Sequence, residues 1–192
     1  MQELKERIVK EGKVLPGNII KVDGFLNHRI DTGLLTRIAE EFGKYFNMDE
    51  VTMVLTAEAS GIALATAVAT YFHKPMIFAK KAKSDNIEGG LYQSDIYSYT
   101  YKKKVTLLVS KEWLSSDDKV LIIDDFMANG EAMRGLCDIV TAAGATLMGI
   151  GCAVEKGFQG GGDRLRAAGV NLKSLAIIES AEPGHIVFRD DD

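Results

Sequence analysis

Residues 120–132 read Val120-Leu121-Ile122-Ile123-Asp124-Asp125-Phe126-Met127-Ala128-Asn129-Gly130-Glu131-Ala132, and this stretch decides the fold. Its apolar start predicts a buried strand, two carboxylates follow at the strand end, and small residues then lead into a helical pattern. A strand, a tight turn and a helix in this order form the unit from which parallel sheets are built. The stretch therefore predicts an α/β protein with polar groups at the carboxyl edge of its sheet.

Similar strand and helix patterns occur on both sides of this unit. We predict helices at Met1–Glu11, Thr32–Phe46, about 61–72, Gly130–Ala143 and near Asp163–Ala168. We predict strands at about 19–22, Val51–Thr56, Pro75–Ala79, Lys119–Asp124, Ala145–Val154 and Leu172–Glu179, and an antiparallel hairpin from Leu91–Thr100 and Val105–Ser110. This alternation predicts a mainly parallel sheet flanked by helices, in which ligands bind at the carboxyl ends of the strands.

The bulk composition excludes several classes of function. A length of 192 residues predicts a single domain over 1–192, and a net charge of −4 argues against nucleic acid as a partner. Two distant cysteines form neither a disulfide framework nor a zinc motif. The N-terminus lacks the apolar core of a secretory signal, and the longest apolar run, Gly61–Phe72, is too short to span a bilayer. We therefore expect a cytoplasmic protein with no membrane partner.

The acidic pair and the loop behind it have the chemistry of a sugar-phosphate site. Asp124 and Asp125 can accept hydrogen bonds from vicinal ribose hydroxyls or bind a hard cation, directly or through water. Small residues at 128–130 let backbone N–H groups approach a phosphate at the positive end of the following helix. One Asp at a strand end is common in any βα unit. Two in succession, followed by a loop without bulky side chains, favour a functional site.

These residues resemble the phosphoribosyl pyrophosphate motif of the type I phosphoribosyltransferases. The similarity is closer still to the bacterial xanthine phosphoribosyltransferases, and it extends to Val22–His28 and to Glu155–Phe158. The resemblance implies a type I phosphoribosyltransferase-like α/β fold. It implies an N-terminal hood within about 1–46, a core over about 47–192 and a flexible hairpin lid at about 81–110.

The resemblance also implies roles for the residues of the two strand-end loops. Asp124 and Asp125 would be the catalytic pair, contacting the ribose and Mg²⁺, the metal mostly through substrate and water. The loop formed by Ala128, Asn129, Gly130, Glu131 and Ala132 would hold the 5′-phosphate. Many relatives place Thr or Ser hydroxyls in this loop, so Ala128 and Ala132 leave the binding to backbone amides and Asn129.

A second loop, Thr56–Gly61, would bind pyrophosphate in the same implied reaction. Its contributing residues would be Glu58, Ala59, Ser60 and Gly61, the last three through their backbone amides. The basic cluster Lys80, Lys81 and Lys83, with Ser84, Tyr97, Ser98 and Tyr99, would belong to the lid over the leaving pyrophosphate. Taken alone, the loop favours a simple tight turn, and surface lysines are usually part of a solvated charged loop.

The purine would bind between the hood and residues 155–158. The ammonium of Lys156 only donates hydrogen bonds, so it favours a 6-oxopurine over adenine. Phe158 would stack on the ring, although it could equally fill the core, while Asn27 and Ile20 would contact the base from the hood. Physical chemistry does not separate xanthine from guanine or hypoxanthine here, and the resemblance favours xanthine.

The implied reaction is purine salvage, in which a 6-oxopurine displaces pyrophosphate from phosphoribosyl pyrophosphate. The alternatives are a guanine/hypoxanthine phosphoribosyltransferase and a non-catalytic regulator of purine genes that senses phosphoribosyl pyrophosphate. A regulator of that kind needs a DNA-binding segment or a basic face, which the acidic composition disfavours. The resemblance further implies a homodimer.

Overall fold

The computed structural model describes residues 1–81, 90–98 and 103–190. The α-helices are α1 (Gln2–Glu11), α2 (Thr32–Phe42), α3 (Gly61–Tyr71), α4 (Glu131–Ala142) and α5 (Gly161–Ala167). The strands are β1 (Lys13–Leu15), β2 (Ile19–Lys21), β3 (Met53–Ala57), β4 (Met76–Ala79), β5 (Leu91–Ser98), β6 (Lys103–Ser110), β7 (Lys119–Met127), β8 (Thr146–Lys156), β9 (Leu172–Glu182) and β10 (His185–Phe188). Short π-helical and 3-10 turns cover Asp23–Asn27 and Gly157–Gln159.

The main sheet has six strands in the order β10-β9-β8-β7-β3-β4. Every neighbouring pair is parallel except β10 with β9, which is antiparallel. The prediction of a mainly parallel sheet flanked by helices is therefore confirmed. Strands β7 and β3 are neighbours in the middle of the sheet, and from this point the strand order runs outward in both directions. Open α/β sheets bind ligands at such a switch point.

Strand β7 is apolar on both faces because each face packs against its own core. Leu121 and Ile123 are fully buried against the core formed with α1, α2 and α3. Val120 and Ile122 are fully buried against the core formed with α4 and the β5–β6 hairpin. This two-sided burial explains why the strand reads as an uninterrupted apolar run rather than an alternating one.

Several element boundaries differ from the sequence prediction. Strand β7 runs through the acidic pair to Met127, since Met127 still pairs with Glu155 of β8. Helix α2 ends at Phe42 rather than Phe46, and Tyr45, which lies beyond this end, is 42% exposed. The antiparallel strand β10 was not predicted, because a four-residue edge strand carries little periodic signal.

The N-terminal segment folds over the carboxyl edge of the sheet. Strands β1 and β2 form an antiparallel ribbon in which Val14 lies opposite Ile20, and the π-helical turn follows it. Phe25 and Leu26 of that turn are fully buried and hold it on the core. The turn therefore has a fixed position above the end of β7.

The hairpin of β5 and β6 packs on α4. Gly135 makes this contact possible, because a Cβ there would overlap side-chain atoms of Ile96 and Leu107. Three predicted lid residues, Lys83, Ser84 and Tyr99, lie outside the described residues. None of the helices within the described ranges is long and apolar enough to cross a membrane.

Candidate active site

The carboxyl ends of three parallel strands, β3, β7 and β8, meet at one cavity of about 500 Å³. The N-terminal segment, the hairpin and the first turn of α4 complete its walls. The lining residues are Ile20, Asn27, Ser60, Lys81, Ile96, Tyr97, Val105, Asp124, Asp125, Phe126, Met127, Ala128, Asn129, Gly130, Glu131, Ala132, Met133 and Lys156. The fold thus brings residues from five separate segments of the predicted site to one place.

The acidic pair forms the buried floor of the cavity. Asp124 is 7% exposed and Asp125 is 1% exposed. Asp125 accepts hydrogen bonds from Asn27 Nδ2 at 2.7 Å and from Ser60 Oγ at 2.8 Å, while its own backbone N–H donates to Asp124 Oδ1 at 3.0 Å. These donors are all neutral. Within the described ranges no cation forms an ion pair with either carboxylate, although the charge of Lys81 in the same cavity acts on Asp124.

Burial is the main electrostatic influence on Asp124. It raises the pKa of that carboxyl well above its usual range, and the adjacent charge of Asp125 raises the pKa further. Ion pairs to either aspartate are absent among the described residues. The pair is therefore an acceptor site whose negative charge a ligand can neutralise.

Two carboxylates are too few for an all-protein metal cage. No cluster of three or more His, Cys, Asp or Glu side chains suited to a metal occurs in the part of the chain that the structure describes. Mg²⁺ needs only one or two carboxylates when substrate phosphates and water complete its shell. The residues present therefore fit a magnesium ion that enters together with a phosphorylated substrate.

The loop 128–130 turns tightly into α4. Gly130 has a φ of 78°, a left-handed conformation that glycine adopts without strain. Gly161 lies so close behind the loop that a Cβ there would overlap the backbone of Ala128, Asn129 and Gly130. Sequence reasoning missed this glycine, although the run Gly160-Gly161-Gly162 was a visible signal of close backbone contact.

Arg164 is a second residue that the sequence did not reveal. Its Nη2 donates to the Asn129 carbonyl at 3.0 Å, and its Nη1 to the Gln159 carbonyl at 3.5 Å. The peptide bond between Asn129 and Gly130 is trans, so its carbonyl and its N–H point in opposite directions. Because Arg164 holds the Asn129 carbonyl, the Gly130 N–H points away from Arg164. Arg164 thus helps to fix the loop's backbone donors.

The loop between β3 and α3 lies beside the acidic pair. Ser60 lines the cavity, and Glu58 Oε1 accepts a hydrogen bond from the backbone N–H of Lys81 at 2.6 Å. The peptide bond between Glu58 and Ala59 is cis. Gly61 is required for space, because a Cβ there would overlap both Asp124 Oδ1 and Thr56 Oγ1.

Not every predicted residue of this region reaches the cavity. Lys81 lines it, whereas the backbone of Lys80 pairs with that of Leu108 through two bonds of 2.9 Å. Glu58, Ala59 and Gly61 lie next to the lining rather than in it. Among the predicted hairpin hydroxyls, Tyr97 lies in the lining.

The opposite end of the cavity combines a cation with an aromatic ring. Lys156 Nζ donates to the Asn18 carbonyl at 3.1 Å and lies 5.4 Å from the Phe126 ring centroid. Burial lowers the pKa of Lys156. Ile20 and Asn27 of the hood face the same space.

Phe158, predicted to stack on a purine, has a different environment. The 3-10 turn Gly157–Gln159 packs it against the apolar core, and it is not among the residues that line the cavity. Phe126 lines it, as does Tyr97 of the hairpin, and Phe126 is the one that lies beside Lys156. Sequence reasoning missed it, although it follows the acidic pair directly.

Comparisons with known proteins agree with this geometry. The phosphoribosyl transferase domain family matches residues 28–170, a range that contains both strand-end loops but neither Ile20 nor Asn27. Xanthine phosphoribosyltransferase of Lachnoclostridium phytofermentans is 52% identical over 193 residues, covering 100% of both chains. That of Bifidobacterium longum is 52% identical and covers 98% of this chain and 100% of its own.

Solved structures show the same fold at low sequence identity. Adenine phosphoribosyltransferase of Giardia lamblia, complexed with 9-deazaadenine, superposes with a TM-score of 0.77 at 20% identity, covering 93% of this chain and 98% of that one. The enzyme of Saccharomyces cerevisiae gives a TM-score of 0.74 at 18% identity, covering 91% and 97%. The fold resemblance drawn from the sequence is confirmed, and this chain belongs to the phosphoribosyltransferase family.

Proposed function

We propose that this protein transfers the 5-phosphoribosyl group from phosphoribosyl pyrophosphate to xanthine, giving xanthosine 5′-monophosphate and pyrophosphate. The observation that supports it best is a single cavity in which the acidic pair lies between the loop 128–130 and Lys156. Only neutral groups, Asn27 and Ser60, donate side-chain hydrogen bonds to that pair among the described residues. The two relatives named xanthine phosphoribosyltransferase are 52% identical to this chain over nearly its whole length.

The sugar diphosphate fits the cavity in one direction. Its 5′-phosphate would lie against the amides of the Ala128–Ala132 loop at the start of α4, where the helix dipole favours an anion. Its diphosphate would lie near Ser60 and Lys81 at the start of α3. The ribose hydroxyls would then face Asp124 and Asp125, which have acceptor capacity left beyond their present bonds.

The base would lie between Phe126, Ile20 and Lys156. The Lys156 ammonium can donate to a carbonyl oxygen of the purine, and the Phe126 face offers a flat apolar contact. Asn27 offers both a donor and an acceptor to the purine edge. Its side chain donates to Asp125, so it would lie between the base and the ribose.

The reaction is a displacement at the anomeric carbon. A purine ring nitrogen forms the new C–N bond as the C–O bond to pyrophosphate breaks, with inversion, and both electrons of the broken bond leave with the pyrophosphate oxygen. The imidazole ring of the purine loses its N–H proton to water or to the departing pyrophosphate. Bound Mg²⁺ would add positive charge beside that leaving group. The chain's own residues position the two substrates, hold the ribose, and donate to the diphosphate.

We propose further that the enzyme works as a homodimer in the cytoplasm. This part of the proposal rests on the family. Analytical ultracentrifugation at the assay concentration tests the dimer, and a single species of monomer mass would contradict it.

Pyrophosphate release tests the proposed function directly. The purified protein receives phosphoribosyl pyrophosphate and Mg²⁺ with xanthine, guanine, hypoxanthine or adenine in parallel reactions. We expect xanthine to give the highest kcat/KM. A higher value for guanine or hypoxanthine would assign the enzyme to that base. Tight binding of the sugar diphosphate without turnover of any base would contradict the enzyme proposal and favour a protein that senses the sugar diphosphate.

A further inference from the structure

A carboxylate stands at the place where a phosphate is proposed to bind. Glu131 is the first residue of α4 and lines the cavity directly after the loop Ala128–Gly130. A phosphate monoester carries between one and two negative charges at neutral pH. An uncompensated carboxylate at this point would therefore repel the 5′-phosphate of the substrate.

The structure turns that carboxylate toward Arg134, one helical turn further along α4. Arg134 Nη2 lies 3.1 Å from Glu131 Oε2, and the backbone N–H of Tyr97 donates to the same oxygen at 3.4 Å. The hydrogen bond from Arg134 is the largest influence on the carboxyl and lowers the pKa of Glu131, so this residue is ionised at neutral pH.

Arg134 is itself held in place by groups other than Glu131. Its Nη1 donates to Asp138 Oδ2 at 2.9 Å, and its Nη2 donates to the Asp95 carbonyl on β5 at 3.0 Å. Asp138 in turn accepts a hydrogen bond from Ser94 Oγ at 2.8 Å. The guanidinium is thus fixed between α4 and the hairpin, on the side of Glu131 that faces β5.

We propose that Arg134 is a positioning residue for phosphoribosyl pyrophosphate, which holds the Glu131 carboxylate against β5 and compensates its charge beside the 5′-phosphate. The inference rests on the proposed function, because it requires that the phosphate binds at the start of α4. It assigns to Arg134 an effect on affinity for the sugar diphosphate, without contact to the base or to the reacting carbon.

The main alternative role of Arg134 is structural, since it also joins α4 to the hairpin through Asp95. The two roles predict different outcomes in a double-mutant cycle. If Arg134 acts through the charge of Glu131, neutralising Glu131 removes the need for Arg134. If it only fixes the hairpin, neutralising Glu131 leaves the damage unchanged.

The experiment compares Arg134→Ala, Glu131→Gln and the double variant with the wild type. We expect Arg134→Ala to raise KM for phosphoribosyl pyrophosphate about 3- to 5-fold, the upper size of one partly exposed charge interaction. KM for xanthine and kcat at saturating sugar diphosphate should change less than about twofold. The double variant should return to within about twofold of Glu131→Gln.

Ionic strength gives a second readout that a structural role would not affect. The KM ratio of Arg134→Ala to wild type should shrink when salt is raised from about 0.05 M to about 0.5 M, because salt screens partly exposed charges. Arg37→Ala is the matched control, since Arg37 is similarly exposed but pairs with Glu3 outside the cavity. Its kinetics should equal those of the wild type.

Two results would overturn the inference: an unchanged KM in Arg134→Ala, or a double variant as impaired as Arg134→Ala. Calorimetric titration of phosphoribosyl pyrophosphate into each variant separates this failure from failure of the proposed function. If the wild type neither binds the sugar diphosphate nor releases pyrophosphate, the proposed function fails and the inference falls with it. If the wild type does both, the cycle alone decides.

Discussion

Two neighbouring strands of this protein end in buried carboxylates that have opposite surroundings. Glu155 at the end of β8 is fully buried, and Arg166 pairs with both of its oxygens, at 3.0 and 2.7 Å. Ser174 donates a further hydrogen bond to it. Asp124 and Asp125 at the end of β7 are almost as deeply buried, yet they receive only neutral hydrogen bonds among the described residues.

The difference shows that the charged partners of a buried carboxylate, rather than its burial, distinguish a structural carboxylate from one in a candidate ligand site. The charge of Glu155 is neutralised within the protein, and Gly162 packs directly over it, since a Cβ there would overlap the carboxylate. The aspartates face a cavity, and neither has an ion-pair partner in the part of the chain that the structure describes. A buried carboxylate without an ion-pair partner is costly unless a ligand restores the balance, so this cost makes the two aspartates candidates for ligand binding.

Removing the scaffold carboxylate should have the largest effect on stability. We expect Glu155→Ala to lower the free energy of unfolding by about 3 kcal/mol, because Arg166 and Ser174 lose their buried partner. Urea denaturation followed by circular dichroism measures the change. Glu155→Met/Arg166→Met, which removes both charges, should recover most of the loss. Equal loss in the double variant would show that the pair is not the source.

Removing a site carboxylate should have the reverse pattern, with activity lost and stability kept. We expect Asp124→Asn to lower kcat/KM about 100-fold, since the ribose is no longer held in place. Steady-state pyrophosphate release measures the loss. Retention of near wild-type activity would remove Asp124 from the proposed site.

The same variant gives a pH dependence of stability. The pKa of Asp124 is raised in the folded protein, so ionisation of Asp124 removes stability as the pH rises through that pKa, whereas asparagine does not ionise. Without substrate or metal, the melting temperature of Asp124→Asn minus that of the wild type should therefore increase as the pH rises from about 5 to about 8. A constant difference between the two proteins would contradict the raised pKa.

The comparison sharpens at β8, where scaffold and site residues are adjacent. Lys156 follows Glu155 but has no carboxylate partner among the described residues, and its ammonium faces the cavity. We expect Lys156→Met to raise KM for xanthine about 10-fold, the effect of losing one charged hydrogen bond, and to leave KM for the sugar diphosphate unchanged. Initial rates with one substrate varied at a time distinguish the two constants.

The smallest expected effect concerns the neutral donors of the acidic pair. Ser60→Ala removes one hydrogen bond to Asp125 and leaves that from Asn27, so kcat/KM should fall only about threefold. The matched control is Ser115→Ala, since Ser115 bonds Asp118 at the opposite end of β7. A loss as large as that of Asp124→Asn would mean that Ser60 acts on substrate directly.

Much of the fold and of the candidate site could be predicted from local patterns. The apolar run before Asp124 predicted a central strand, and the small residues after it predicted a tight turn into a helix. The resemblance then placed Asn27, Ser60 and Lys156 in a single site, and the structure brings all three to one cavity. The strand and helix predictions were confirmed because the signals for each element lie within a few residues of one another, whereas the roles of the site residues stay predictions.

Only the tertiary structure decided which side chains meet across the cavity. Phe126 rather than Phe158 lines it, because β7 continues past the acidic pair while the 3-10 turn directs Phe158 into the core. Arg134 and Arg164 contact the stretch 129–131 from two different helices. Such contacts depend on packing between segments that are distant in sequence. They also depend on the direction in which a side chain points at a strand end or on a helix face, and local sequence patterns do not determine either.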